Sequence, residues 1–136
     1  MIEFSWPVRV YYEDTDTGGV VYHTNYLKFM ERARTEWLRE LGYEQDELKS
    51  RYDVIFAVRS VSIDYISPAR FNDSLIVSVR VLEQGRASLV LEQAIKRKNE
   101  SGVLCQGQVK VASLTASAFK PCPLPPNLNQ LINSRL

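Results

Sequence analysis

Tyr11-Tyr12-Glu13-Asp14-Thr15-Asp16-Thr17-Gly18-Gly19-Val20-Val21-Tyr22-His23-Thr24-Asn25-Tyr26 joins two different periodicities through one polar loop. Ahead of the loop, Val8, Val10 and Tyr12 alternate with Arg9, Tyr11 and Glu13, the two-residue period of a strand. Beyond it, Tyr26, Met30, Ala33, Trp37 and Leu41 recur at helical spacing, with Leu27 and Leu38 beside them. The stretch therefore predicts a strand-to-helix connection carrying Asp16, a glycine pair and the single histidine, His23. At a helix N-terminus, unpaired backbone N–H groups and the positive end of the helix dipole favour developing negative charge. A carboxylate and an imidazole beside such an end make a hydrolytic site, with Asp16 and His23 its catalytic candidates. The backbone N–H groups of Val21, Tyr22 and His23 are its oxyanion candidates.

Two plainer readings compete. Aspartate and asparagine form turns and caps, and paired glycines tolerate positive φ, so a purely structural loop accounts for the same residue types. Asp14, Asp16 and Gly19 also match the first, third and sixth positions of a calcium loop, but Asn25 stands where the bidentate glutamate belongs. A strand also replaces the entering helix, so calcium is rejected. Glu13 and Asp14 read as turn or strand-end residues without a role. Gly18 and Gly19 shape the loop.

The rest of the chain alternates. After a helix from about Thr24 to Leu41, with Thr24 or Asn25 as N-cap and Gly42 as stop, a short polar helix or turn is expected at about Gln45–Tyr52. Four strands follow, about Ile55–Ile66, Asp73–Glu83, Ala87–Asn99 and Val103–Thr115, the last three in antiparallel hairpins. One apolar-striped helix among five strands must bury its stripe on the sheet. The prolines between Phe119 and Pro126 exclude regular structure, and the tail after Asn127 closes with one turn or frays.

With 136 residues and a net charge of +1, the chain makes one domain, residues 1–136, with no global field for nucleic acid or a membrane surface. No apolar run reaches the ~18–20 residues of a transmembrane helix, and the start lacks a signal-peptide pattern. Cys105 and Cys122 lack metal-site spacing and read as reduced thiols, so a cytoplasmic protein is expected.

The segment Tyr12–Arg39, YEDTDTGGVVYHTNYLKFMERARTEWLR, closely resembles the hotdog-fold acyl-CoA thioesterases related to 4-hydroxybenzoyl-CoA thioesterase. Within these it looks most like the bacterial branch associated with the Tol-Pal cell-envelope system. The similarity runs from about Val8 to Thr115 and rests on D-x-x-G-x-V-x-[HY]-x-x-Y, here Asp16, Gly19, Val21, His23 and Tyr26. It implies an α+β hotdog fold, a five-stranded antiparallel sheet curled round one long helix. It also implies an acyl-CoA thioesterase acting as a homo-oligomer, dimer or tetramer, with coenzyme A held between subunits and no metal or cofactor. Asp16 falls on the family's catalytic aspartate and His23 on a position that is His or Tyr among relatives.

Thioester hydrolysis suits so sparse a site. A thiol of pKa ~8.5 leaves with modest proton assistance, so an attacker and an oxyanion cradle suffice. Asp16 serves as nucleophile or as general base, and the residues do not choose between them. His23 bonds the thioester, orients water or protonates the thiolate. Tyr22 and Tyr26 line the acyl channel or pack as core aromatics. Coenzyme A phosphates need cations, and Arg86, near which relatives place basic residues, is the first candidate. Lys96-Arg97-Lys98, Lys110 and Lys120 stand behind it. Two further functions remain open: a non-hydrolytic protein binding acyl groups, acyl carrier protein or an envelope-biogenesis partner, and a hydratase or dehydratase.

Overall fold

The computed structural model describes residues 3–134. The chain runs β1 (Phe4–Arg9), a 3-10 turn (Tyr12–Asp14), α1 (Asn25–Glu40), α2 (Gln45–Tyr52), β2 (Val54–Tyr65), β3 (Ser74–Gln84), β4 (Ser88–Arg97), β5 (Val103–Thr115) and α3 (Leu128–Ser134). All the strands form one antiparallel sheet in the order β1-β3-β4-β5-β2. This is the hotdog arrangement, with α1 as the filling.

The core follows from the periodicities. Leu75, Val77, Val79 and Val81 of β3, Leu89, Leu91 and Ile95 of β4, and Cys105, Val109 and Val111 of β5 are buried in alternation. Against them α1 buries Tyr26, Phe29, Met30, Ala33, Trp37 and Leu38. Phe29 is wholly enclosed, and burying one such ring contributes about 1.5–3 kcal/mol. Gly107 opposes Ile63 on β2, and a Cβ there would stand 2.9 Å from the Ser62 carbonyl and 3.6 Å from Met30 Cε. The helix and both strands close on that one bare position.

Helix α1 ends as its sequence dictates. Gly42 takes φ +98°, its N–H bonds the Arg39 carbonyl at 3.0 Å, and the Tyr43 N–H reaches back to the Leu38 carbonyl at 2.9 Å. That pair of bonds is a Schellman stop. The other end departs from expectation. Thr24 sits at the N-cap position in helical geometry and makes no side-chain cap, while Asn25 begins the helix and turns its amide elsewhere.

Two other expectations are corrected. Tyr12 does not continue β1, because the chain bends into a 3-10 turn that leaves Tyr12 three-quarters exposed and stacked on Phe71. The tail is not irregular throughout: Leu124, Leu128 and Ile132 are buried, and α3 spans seven residues. Its apolar spacing of four packs one face of a helix against the core.

Cys105 is fully buried and Cys122 partly so, and neither is in a disulfide. Burial pushes the Cys105 thiol up to about 12, with Asp64 adding to the effect, so it stays protonated at ordinary pH. A thiol reagent applied to the native protein at pH 8 is therefore expected to modify Cys122 alone. Cys105 should react only after denaturation, and modification of both thiols at similar rates in the native state would contradict this packing.

Candidate active site

The Asp16 loop is a small hairpin. The Asp16 N–H donates to the Val20 carbonyl at 2.9 Å, and the Gly19 N–H to the Asp16 carbonyl at 3.1 Å. Gly19 adopts φ +79°, the left-handed residue that follows a type I turn in a three-residue loop. The Asp16 Oδ1 accepts the Gly18 N–H at 2.8 Å, and the side chain is otherwise exposed. The two arms of the loop pair at the Thr15–Val21 bridge, and the returning arm is tied to the body of the protein by the Val20–Arg70 bridge.

Asp14, read above as a turn or strand-end residue without a role, is the loop's anchor. It is 6% exposed; its Oδ1 accepts from Asn25 Nδ2 at 2.9 Å and its Oδ2 from the Tyr11 N–H at 2.9 Å. Its carbonyl takes the Tyr22 N–H at 2.9 Å. One aspartate thus binds the strand end, the loop's return and the first residue of α1. Sequence offered no signal for it, since Asp14 and Asn25 are eleven positions apart across a loop.

The oxyanion expectation narrows. The Val21 N–H donates to the Ala69 carbonyl at 2.9 Å, and that of Tyr22 to Asp14, so neither can receive a substrate oxygen. The His23 N–H has no partner among the described residues, and it stands two residues before α1, at the positive end of a sixteen-residue helix. Of the three candidates, His23 alone keeps a free donor.

A cavity of about 240 Å³ opens beside that donor, lined by Val21, His23, Tyr26, Tyr65, Ile66, Ser67 and Pro68. The Tyr65 hydroxyl donates to the His23 carbonyl at 2.9 Å, and the rings of His23 and Tyr65 meet edge to face, with centroids 6.3 Å apart. The buried Tyr26 hydroxyl accepts the Ala69 N–H at 3.0 Å, fixing the wall at Pro68 and Ala69. Burial raises the Tyr26 and Tyr65 hydroxyls above the usual phenol value, so both stay neutral donors. Tyr22 is half-exposed and lies against the His23 ring.

Not every candidate gathers here. Asp16 is on the same loop but does not line the cavity. Arg86 lies in the β3–β4 turn, whereas the loop abuts the start of β3 through Val10 and Asn72. Ten residue steps of strand, about 33 Å, separate those ends. Arg97 is spent on structure, donating to Asp73 at 2.9 Å and to the Pro68 carbonyl at 2.8 Å. Among the described residues no helix is long and apolar enough to cross a membrane.

The sequence profile described as the thioesterase superfamily matches residues 18–104. The acyl-CoA thioesterase YbgC of Haemophilus influenzae is 45% identical over 122 residues, 90% of this chain and 88% of the relative. The acyl-CoA thioester hydrolase YbgC of Escherichia coli O157:H7 is 42% identical over 125 residues, 92% of each. Among solved structures, a probable thioesterase from Bartonella henselae superposes with a TM-score of 0.85 at 33% identity, covering 91% of this chain and 100% of that one. A 1,4-dihydroxy-2-naphthoyl-CoA thioesterase from Synechocystis gives 0.89 over 96% of each chain, a likeness of fold at 24% identity.

Proposed function

The chain belongs to the thioesterase superfamily, and from that premise we propose that it hydrolyses acyl-CoA thioesters to free acid and coenzyme A. The observation that carries the reading is the unengaged His23 N–H beside the cavity, the one of the three candidate donors that the protein's own bonds leave free. A thioester carbonyl seated there takes a hydrogen bond that strengthens as its oxygen gains charge. Such a donor is worth about 2.7–4 kcal/mol of barrier. Asp16 attacks the carbonyl carbon, or takes a proton from the water that does. In the first route the C–S bond breaks to give a mixed anhydride and the thiolate, and water then cleaves the anhydride. An acyl adduct on Asp16, caught by mass spectrometry in a single turnover, marks that route. The His23 imidazole faces the departing sulfur and supplies its proton.

The same reading asks for a second copy. Asp16 is exposed in the single chain, and the Arg86 turn is at the far end of the sheet. Strand β2 pairs with β5 on one side only, and Val58, Val61 and Tyr65 are 48%, 41% and 47% exposed. Two β2 edges joined antiparallel satisfy the open backbone edge and bring the two apolar strips side by side. They also bring the Arg86 turn of one copy to the end where the other copy holds Asp16. Light scattering coupled to size exclusion is expected to give the mass of at least two chains, falling toward one in Val61→Lys. A wild-type monomer that turns over acyl-CoA at full rate would overturn the shared site.

The primary test is thiol release from short, medium, long and aromatic acyl-CoAs. Turnover on at least one is expected, and none on any would overturn the hydrolytic reading.

A further inference from the structure

Arg34 is a cation without an anion. It projects from the middle of α1, is mostly withdrawn from water, and its Nη1 donates to Gln93 Oε1 at 2.9 Å. Gln93 is fully buried in the inner row of β4, and its Nε2 donates to the Met30 carbonyl at 3.0 Å, which fixes the amide with its oxygen toward Arg34. No carboxylate forms an ion pair with Arg34 among the described residues. Glu31, one turn earlier, attracts the guanidinium only from a distance and is itself exposed. A half-buried guanidinium held by one neutral amide leaves most of its donors unused.

Those donors face a cavity of about 130 Å³ that is apolar at Trp37, Phe56 and Leu91 and polar at Glu31, Thr35 and Gln45. Strand β2 runs from this cavity to the candidate active site, lining the first with Phe56 and Val58 and the second with Tyr65. Register places Phe56, Val58, Val61, Ile63 and Tyr65 opposite Ser113, Val111, Val109, Gly107 and Cys105, the inward row of β5. The same five side chains therefore form one apolar floor beside α1. Tyr65 is its end at His23, and Phe56 with Val58 is its end at Arg34. From Tyr26 to Arg34 is eight residues of helix, a path of about 12 Å.

We propose that this floor holds the acyl chain and that Arg34 is a specificity residue, selecting acyl groups that carry a hydrogen-bond-accepting oxygen at the end remote from the thioester. The inference rests on the thioesterase reading above. An unadorned chain long enough to reach the cavity leaves the guanidinium without a partner and strips it of water. A terminal carboxylate or hydroxyl of matching length replaces that water with a charge-assisted bond. Glu31 at the rim favours the hydroxyl, which can also donate, over the carboxylate, which it repels.

The test compares plain, ω-hydroxy and ω-carboxy acyl-CoAs of equal length, from four to twelve carbons, by kcat/KM. In the wild type one or both oxygen-ended series should exceed the plain chain by about ten- to a hundredfold near the matching length. The two series separate a hydroxyl from a carboxylate preference. Arg34→Met should bring the ratio to about one, and Arg34→Lys should keep part of it. Because the ratio is taken within each enzyme, partial misfolding of a variant cancels. Plain chains turned over equally well or better at every length, or a preference that survives Arg34→Met, overturns the assignment and leaves the thioesterase reading intact. A variant whose mass falls while its selectivity holds makes Arg34 an interface residue and likewise overturns it. Failure to hydrolyse any acyl-CoA overturns both.

Discussion

Asp16→Asn is expected to lower thioester hydrolysis by about 10²- to 10⁴-fold with no loss of folded protein. The structure makes this an unusually clean substitution. Asp16 contributes to its loop through Oδ1, which accepts the Gly18 N–H, and an asparagine oxygen makes that same bond. Gly18 and Gly19 keep the turn, and the bridges to Val21 and Arg70 do not involve the side chain. What disappears is the negative charge, and with it both the nucleophile and the base. A thousandfold loss corresponds to about 4 kcal/mol of barrier. Thiol-release kinetics on both proteins, with matched thermal midpoints, check it. An Asn variant that retains wild-type kcat/KM removes Asp16 from the mechanism.

Asp14→Ala should act the other way round, on the fold first and the chemistry second. The carboxylate is buried and accepts two hydrogen bonds, from the Asn25 amide and the Tyr11 N–H. Truncation leaves the buried Asn25 amide and the part-buried Tyr11 N–H without this partner, a loss on the order of 3 kcal/mol. For a chain of this size that is roughly a 10 °C fall in melting temperature. The loop should also slacken at its junction with α1, displacing the His23 donor and lowering kcat below the wild-type value even in the folded fraction. Asn25→Ala should cost less, because Asp14 keeps the Tyr11 bond, and the double variant should be less than additive. Scanning calorimetry on the three variants checks it. Additive losses would mean that the two residues do not act as a pair.

The contrast between these neighbours shows what can be read without coordinates. The helix stripe and the strand alternations were legible because burial imposes a period on adjacent residues, and α1, α2 and β2 to β5 lie within a residue or two of their expected spans, whereas β1 ends at Arg9 and α3 is longer than the single turn expected. Asp16 and His23 were legible as members of one short motif. Asp14 was not, because its partner belongs to a different element and nothing local distinguishes a buried aspartate from a turn aspartate. Arg34 and Gln93 escaped for the same reason, being 59 positions apart. The oxyanion set was too wide because a helix start promises free donors without saying which ones a neighbouring loop consumes. Arg86 matched by chemistry, yet only the strand register reveals that a whole strand length separates it from the loop.

The order β1-β3-β4-β5-β2 has a consequence for the chain's birth on the ribosome. The two strands made first are the two rims of the finished sheet, and β2 finds its only neighbour when Val103–Thr115 has been synthesised. Until then α1 has left the exit tunnel with Phe29, Met30 and Trp37 incompletely covered. Early hairpin formation by β3 and β4 offers a partial platform, but the sheet closes only once β5 has been made. The nascent chain therefore carries an apolar helix against an incomplete sheet until β5 arrives, and that interval is where a holding chaperone would act.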